Sequence, residues 1–138
     1  MDSRKRVLIV EDDREVLFVW TAALKKLTNT DIETAGDGLD ALDQFEADPF
    51  DLVVTDLSMP RMNGVELTRE IRRLDANVPI IWVTAHAHYE DRLDEPGLNV
   101  HTFLVKPVSI QHIREVVRDA LNYGSANPRI QPRDNGSR

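Results

Sequence analysis

The chain has 138 residues, 41% hydrophobic and 30% charged, which is typical of a single globular domain. The formal net charge of −7 argues against a nucleic-acid-binding surface, and the lack of cysteine excludes disulfides, thiolate catalysis and sulfur-ligated metals. No apolar run is long enough to span a membrane, and the basic residues 4–6 lead into too short an apolar run for a signal peptide. We therefore expect a cytoplasmic protein.

Short apolar runs rich in β-branched residues predict buried strands. They lie at residues 7–10, 52–54, 78–83 and 102–105, and residues 31–35 alternate like a half-exposed edge strand. Pro60 shortly follows the run at 52–54 and would not fit a central strand, so that strand ends near Asp56.

Apolar stripes with helical spacing separate these strands. The stripes cover residues 16–27, 39–46, 67–74 and 110–121. Asp13, Asn63 and Ser109 stand where N-caps are expected, and Gly124 is predicted to stop the last helix. Trp20, on the first of these stripes, and Trp82, in the apolar run at 78–83, are interpreted as core.

The signal is weaker between the fourth and fifth strands. Residues 89–94 allow one or two helical turns, and Pro96 would end a helix early, so the fourth helix should be short or irregular. Residues 125–138 hold almost no large apolar side chains and are expected to form a disordered tail or a linker. The predicted domain is therefore residues 1–124.

Five strands alternating with five helices predict an α/β protein, a parallel sheet wound with helices on both faces. Right-handed crossovers bring the carboxyl ends of all strands to one edge. That edge then gathers Glu11, Asp12, Asp56, Thr84 and Lys106. Three clustered carboxylates repel one another unless a cation sits among them, and oxygen ligands without histidine or cysteine suit Mg²⁺.

A lysine and a threonine opposite such a metal site can neutralise and hydrogen-bond phosphoryl oxygens. The combination indicates phosphoryl transfer, in which positioning and charge neutralisation do most of the work. Aspartate can accept a phosphoryl group as an acyl phosphate. Asp56 is the most central of the three acids and is the candidate acceptor.

At four segments, in this order, the sequence resembles the receiver domain of two-component response regulators. The segments are VLIVEDD at 7–13, DLSMPRMNG at 56–64, VTA at 83–85 and LVKP at 104–107. The resemblance covers residues 5–123 and implies a flavodoxin-like sheet with strand order 2-1-3-4-5. It also implies that the chain is a signalling domain rather than an enzyme. Such a domain assists its own phosphorylation and dephosphorylation.

The resemblance assigns the phosphoacceptor role to Asp56. It implies that Mg²⁺ is bound by Asp12 directly, by Glu11 through water, by Asp56, and by the backbone carbonyl of Ser58. The phosphoryl donor would be a sensor histidine kinase or a histidine phosphotransfer protein.

The remaining roles follow in the same way. Thr84 and Lys106 would bind phosphoryl oxygens, and Thr84 and Phe103 would form the switch to a protein-interaction surface. Ser58 and His86 would tune the lifetime of the phosphoryl group, and the Lys106–Pro107 peptide should be cis.

Several alternatives stay open. Phe103 could be core packing, and His86 could be a solvated loop residue, as we interpret the other histidines. An aspartate-nucleophile phosphohydrolase of the haloacid-dehalogenase type would place Asp-x-Asp after the first strand, where this chain has Glu11-Asp12-Asp13. A flavin-binding flavodoxin-like module would need a phosphate-binding loop after the first strand, and the three acids would repel FMN there.

The clearest departure from the family lies at residues 95–101, where receivers usually carry an alanine- and glycine-rich segment. Partner identity and dimer mode therefore do not transfer. Output would pass to a downstream protein or to an effector domain outside this chain, with phosphorylation-dependent dimerisation as one route, and we expect no nucleic acid to bind these residues.

Overall fold

The computed structural model describes residues 4–126 and shows a five-stranded parallel sheet in the order β2-β1-β3-β4-β5. The strands are β1 Lys5–Val10, β2 Thr30–Ala35, β3 Leu52–Thr55, β4 Ile80–Thr84 and β5 Thr102–Val105. The helices are α1 Arg14–Leu24, α2 Gly38–Ala47, α3 Gly64–Leu74, a 3₁₀ helix Ala87–Asp94, and α4 Ile110–Ala126. The predicted fold class and strand order are confirmed, including an irregular fourth helix.

Both faces of the sheet are buried because side chains alternate along each strand. Leu8 and Val10 of β1 belong to the core beneath α2 and α3, whereas Val7 and Ile9 belong to the core beneath α1 and α4. The sheet is therefore doubly wound, as the alternating pattern predicted. Within residues 4–126, no helix is both long and apolar enough to cross a bilayer.

The predicted caps are present. Asp13 accepts the backbone N–H groups of Glu15 and Val16, and the hydroxyl of Ser109 accepts that of His112. At the start of α3, Asn63 and Glu66 form a reciprocal capping box.

Some sequence expectations are wrong in detail. Helix α4 continues through Gly124 to Ala126, because a helical glycine costs about 1 kcal/mol but does not by itself end a helix. Leu39 and Leu74, at the ends of two apolar stripes that were predicted to face the core, are 38% and 52% exposed because they lie in terminal turns. Val19 is exposed at the edge of its stripe. The boundary between domain and tail stays a prediction, and residues 127–138 lie outside the described residues.

Two arginines of α3 hold the segment that follows the 3₁₀ helix. Arg69 forms a bidentate pair with Glu95, at 2.5 and 2.7 Å. Burial lowers the pKa of Arg72 to about 10, so this guanidinium is still cationic at neutral pH. It donates to the backbone carbonyls of Asp75, Val78, Leu98 and Asn99. The irregular chain between β4 and β5 is thus fixed to α3 at its second half.

Candidate functional site

The carboxyl edge of the sheet brings together the polar residues that follow its strands. Glu11 comes directly after β1, Asp56 after β3 and Lys106 after β5, while Thr84 is the last residue of β4. The backbone N–H of Asp56 donates to the carbonyl of Val10 at 2.9 Å, which continues the β1–β3 pairing to the site itself.

Three carboxylates form the centre of this edge. Glu11, Asp12 and Asp56 each offer an oxygen atom, and these atoms lie within 4.8 Å of one another. Glu11 and Asp56 are only 1% and 6% exposed, whereas Asp12 is exposed. A group of carboxylate oxygens open to solvent on one side suits a hard divalent cation that keeps some of its water, such as Mg²⁺.

The Lys106 ammonium contacts both buried carboxylates. Its Nζ lies 2.8 Å from Glu11 Oε1 and 3.3 Å from Asp56 Oδ2. Burial raises the pKa of Glu11. Burial alone would lower the pKa of Lys106, but the hydrogen bond that its ammonium donates to Glu11 and the charge of Asp56 raise it overall. The lysine therefore stays cationic and its charge is directed at Asp56.

The carboxylate of Asp56 has a fixed orientation. Its Oδ1 accepts the backbone N–H of Leu57 at 2.7 Å and, more weakly, that of Ser58 at 3.5 Å. Its Oδ2 faces Lys106. Because two of these donors are backbone N–H groups of the first loop residues after β3, the carboxylate is oriented before any ligand binds.

The loop after Asp56 is shaped by close backbone contacts. Gly64 donates its N–H to the carbonyl of Leu57 at 2.9 Å, and a Cβ at Gly64 would overlap the carbonyl oxygen of Asp56. Arg61 adopts a left-handed φ of 68° and forms a bidentate pair with Asp37, at 2.8 and 3.1 Å. The loop that carries Ser58 is therefore fixed to α3 on one side and to the start of α2 on the other.

Thr84 is fully buried, and its Oγ1 accepts the backbone N–H of His86 at 3.1 Å. Its carbonyl accepts the N–H of Lys106 at 2.8 Å, so β4 positions the lysine through the backbone. Phe103 is half-buried and packs edge-on against Trp82, with ring centroids 6.5 Å apart. Phe103 thus packs against a core residue, and its role as a switch stays a prediction.

The histidines lie at the surface. His86 is exposed next to His88 and Tyr89, and His101 and His112 are exposed as well. The Lys106–Pro107 peptide is cis, as the resemblance implied.

Sequence reasoning missed one neighbour of the site. Trp20 is 5% exposed and belongs to the core, as predicted, but its ring centroid also lies 5.4 Å from Lys106 Nζ. The signal in the sequence is a tryptophan on the inner stripe of α1, about two turns after the acidic pair. That spacing shows only that the ring approaches the site end of the sheet, not that it meets the lysine.

Comparison with known proteins places the chain in a family. Residues 7–118 match the family profile described as response regulator receiver domain. The chain belongs to this receiver family. Receiver domains are signalling domains that interact with kinases and with effector domains.

Two relatives illustrate the similarity. The protein named Regulator of RpoS, from Escherichia coli K12, is 34% identical over 131 residues, which cover 92% of this chain and 38% of that protein. Transcription factor SKN7 from Chaetomium thermophilum is 33% identical over 129 residues, which cover 92% of this chain and 17% of that protein. The chain thus spans less than half of these relatives, which have further regions of their own.

Solved structures show the same fold. A CheY-like receiver domain from Methanospirillum hungatei superposes with a TM-score of 0.83 at 27% identity, covering 90% of this chain and 98% of that one. The response regulator TrrA from Thermotoga maritima, solved in complex with Mg²⁺ and BeF, has a TM-score of 0.74 at 31% identity, covering 84% of this chain and 98% of that one.

Proposed function

We propose that this receiver domain accepts a phosphoryl group on Asp56 from the phosphohistidine of a sensor kinase or phosphotransfer protein. The observation that carries the proposal is the environment of Asp56. Its buried carboxylate lies at the carboxyl edge of the sheet, 3.3 Å from the Lys106 ammonium and within 4.8 Å of two further acids. A nucleophilic carboxylate, a cation for the phosphoryl oxygens and a set of metal-binding oxygens are the three requirements of this transfer.

In the transfer, an oxygen of Asp56 forms a bond to phosphorus while the phosphorus–nitrogen bond of the donor breaks. The freed electron pair stays on the imidazole nitrogen of the donor. The backbone N–H groups of Leu57 and Ser58 hold the carboxylate in place, and Lys106 neutralises a phosphoryl oxygen. Thr84 would donate its hydroxyl to a second phosphoryl oxygen.

The donor set fits Mg²⁺. Glu11, Asp12, Asp56 and the backbone carbonyl of Ser58 would hold the ion, which when bound neutralises negative charge on the carboxylates and the phosphoryl group. Ser58 and His86 are the residues that we expect to set the lifetime of the acyl phosphate, since both are exposed on loops beside the site.

The signal would leave the site through Thr84 and Phe103 and change the surface formed by the 3₁₀ helix and β5. We place the reaction in the cytoplasm, and the output in a downstream protein or in an effector domain of a longer parent protein. Phosphorylation-dependent dimerisation through this surface is part of the same proposal.

The test is phosphorylation by acetyl phosphate with Mg²⁺, followed by intact-mass spectrometry. The parent chain should gain about 80 Da, the mass of one phosphoryl group. Asp56→Asn keeps the shape but removes the nucleophilic carboxylate, so it should gain nothing. The matched control Asp91→Asn removes an exposed acid of the 3₁₀ helix and should gain the group normally. If Asp56→Asn still gains the group, the acceptor lies elsewhere.

A further inference from the structure

Lys106 is held from three sides. Glu11 and Asp56 contact its Nζ at 2.8 and 3.3 Å, and the indole ring of Trp20 lies under the same nitrogen, 5.4 Å from the ring centroid. The lysine side chain is 22% exposed, so the ammonium is only partly hydrated. An aromatic face attracts an ammonium within about 6 Å through its quadrupole, and the attraction grows as the cation loses water.

The three partners differ in what the proposed reaction does to them. Asp56 becomes an acyl phosphate and loses its carboxylate charge, and Glu11 is a candidate metal ligand whose oxygens would then face the ion. The ring of Trp20 neither ionises nor binds the metal. Of the three groups that contact Lys106, it is the one whose own charge the proposed reaction would not change.

We propose that Trp20 is a positioning residue, which holds the Lys106 ammonium beside Asp56 through the face of its indole ring. This inference rests on the proposed function for its effect on phosphoryl transfer, whereas the contact between the ring and the lysine can be measured without it.

The space around the lysine supports this role. Trp20 and Lys106 both line a mostly apolar cavity of about 430 Å³, whose other walls are Val16, Ala85, Pro107 and Val108. None of these four side chains carries a charge or a polar group that could hold an ammonium. On the cavity side, the lysine would therefore be free to swing away from Asp56 if the ring were missing.

The first measurement is the NMR signal of the Lys106 side chain, assigned by its loss in Lys106→Arg. Protons over an aromatic face are shifted upfield, so the Hε protons of Lys106 should lie upfield of those of solvated lysines in the parent chain. Trp20→Leu should abolish that shift, and Trp20→Phe should retain part of it. A parent spectrum without the upfield shift would overturn the proposal, even if the leucine variant failed to fold.

The second measurement is the rate of phosphorylation by acetyl phosphate with Mg²⁺. Trp20→Leu should slow it by about 3- to 10-fold, the size of one cation–π contact, while Trp20→Phe stays within about two-fold of the parent. The matched control is Phe18→Leu, which removes an aromatic ring that is 74% exposed on the same helix and should change neither rate nor Lys106 shift.

Equal slowing by Trp20→Leu and Trp20→Phe would overturn the proposal, because the ring would then matter only for packing. A parent chain that gains no phosphoryl group would instead overturn the proposed function, and the Lys106 shift would still decide whether the ring holds the lysine.

Discussion

At the scale of single residues, the neighbouring acids Asp12 and Asp13 have different surroundings and different expected effects on stability. Asp12 is exposed beside two buried carboxylates, and within residues 4–126 the ion pairs of Lys106 are formed with Glu11 and Asp56 rather than with Asp12. Asp13, the next residue, accepts two backbone N–H groups and caps α1. We therefore expect Asp12 to lower the stability of the metal-free fold and Asp13 to raise it.

This contrast gives a prediction with opposite signs at adjacent positions. Without Mg²⁺, Asp12→Ala should raise the melting temperature by about 1–4 °C, because it removes repulsion among the three acids. Asp13→Ala should lower the stability by about 1 kcal/mol through the lost cap. Thermal melts in a chelator measure both changes. A lower melting temperature for Asp12→Ala would show that this carboxylate is structural.

The same variants separate metal binding from folding. Asp12→Ala should weaken Mg²⁺ binding strongly, since an anionic ligand is lost from a small site. Asp13→Ala leaves the three clustered carboxylates in place and should bind Mg²⁺ nearly as well as the parent. If both variants lost Mg²⁺ affinity equally, the effect would come from the α1 terminus rather than from the ligand set.

At the scale of elements, the loop after Asp56 depends on a close approach to α2. The N–H of Gly38 donates to the carbonyl of Met62 at 3.1 Å, and a Cβ at Gly38 would overlap that carbonyl oxygen. Nearby, Arg61 in its left-handed conformation pairs with Asp37, which also caps α2. These contacts therefore fix the start of α2 and the loop carrying Ser58 to one another.

A pair of glycine substitutions tests this contact. Gly38→Ala should destabilise the fold by about 1–3 kcal/mol, although replacing a glycine within a helix by alanine normally stabilises a protein. Gly36→Ala is the matched control, since an added Cβ there meets nothing within 4 Å, and its effect should be small. Urea unfolding gives both values. Equal effects of the two substitutions would show that α2 does not pack against the loop as described.

Sequence reasoning predicts the features that depend on local pattern and fails where distant side chains meet. The strands, the caps at Asp13, Asn63 and Ser109, and the fold class follow from periodicity and capping chemistry. The acid cluster follows because parallel strands bring their carboxyl ends to one edge. The contact between Trp20 and Lys106 does not follow from the sequence pattern, because it depends on how α1 and the loop after β5 pack against each other.

The segment between β4 and β5 shows the same limit. Pro96 correctly predicts an irregular fourth helix, but nothing in the pattern reveals that Arg72 would donate to backbone carbonyls 26 and 27 residues away. In a sequence, an arginine on the polar face of a predicted helix indicates a solvated charge. Its burial is a consequence of the tertiary structure, in which the irregular segment supplies the acceptors.

At the scale of the whole molecule, a change of charge at Asp56 has to be transmitted to the protein surface. We propose that Thr84 connects the two, because its hydroxyl accepts the N–H of His86, the residue before the 3₁₀ helix. A phosphoryl group at Asp56 would accept a hydrogen bond from that hydroxyl and draw it away from the His86 N–H, and Phe103, half-buried against Trp82, would turn into the vacated space. Arg69 and Arg72 hold residues 95–99 on α3. The movement should therefore be largest at residues 86–94 and around Phe103.

Removing the Thr84 hydroxyl should uncouple this surface from the site while leaving phosphorylation of Asp56 achievable at a lower rate. The measurement is amide NMR with beryllofluoride and Mg²⁺, which mimic the phosphoryl group. In the parent, residues 86–94 and 103–111 should shift strongly and residues 95–99 weakly. Thr84→Ala should lose the shifts at 86–94, whereas Thr84→Ser, which keeps a hydroxyl, should retain them. If Thr84→Ala binds beryllofluoride and its surface shifts as far as in the parent, the coupling does not depend on the Thr84 hydroxyl.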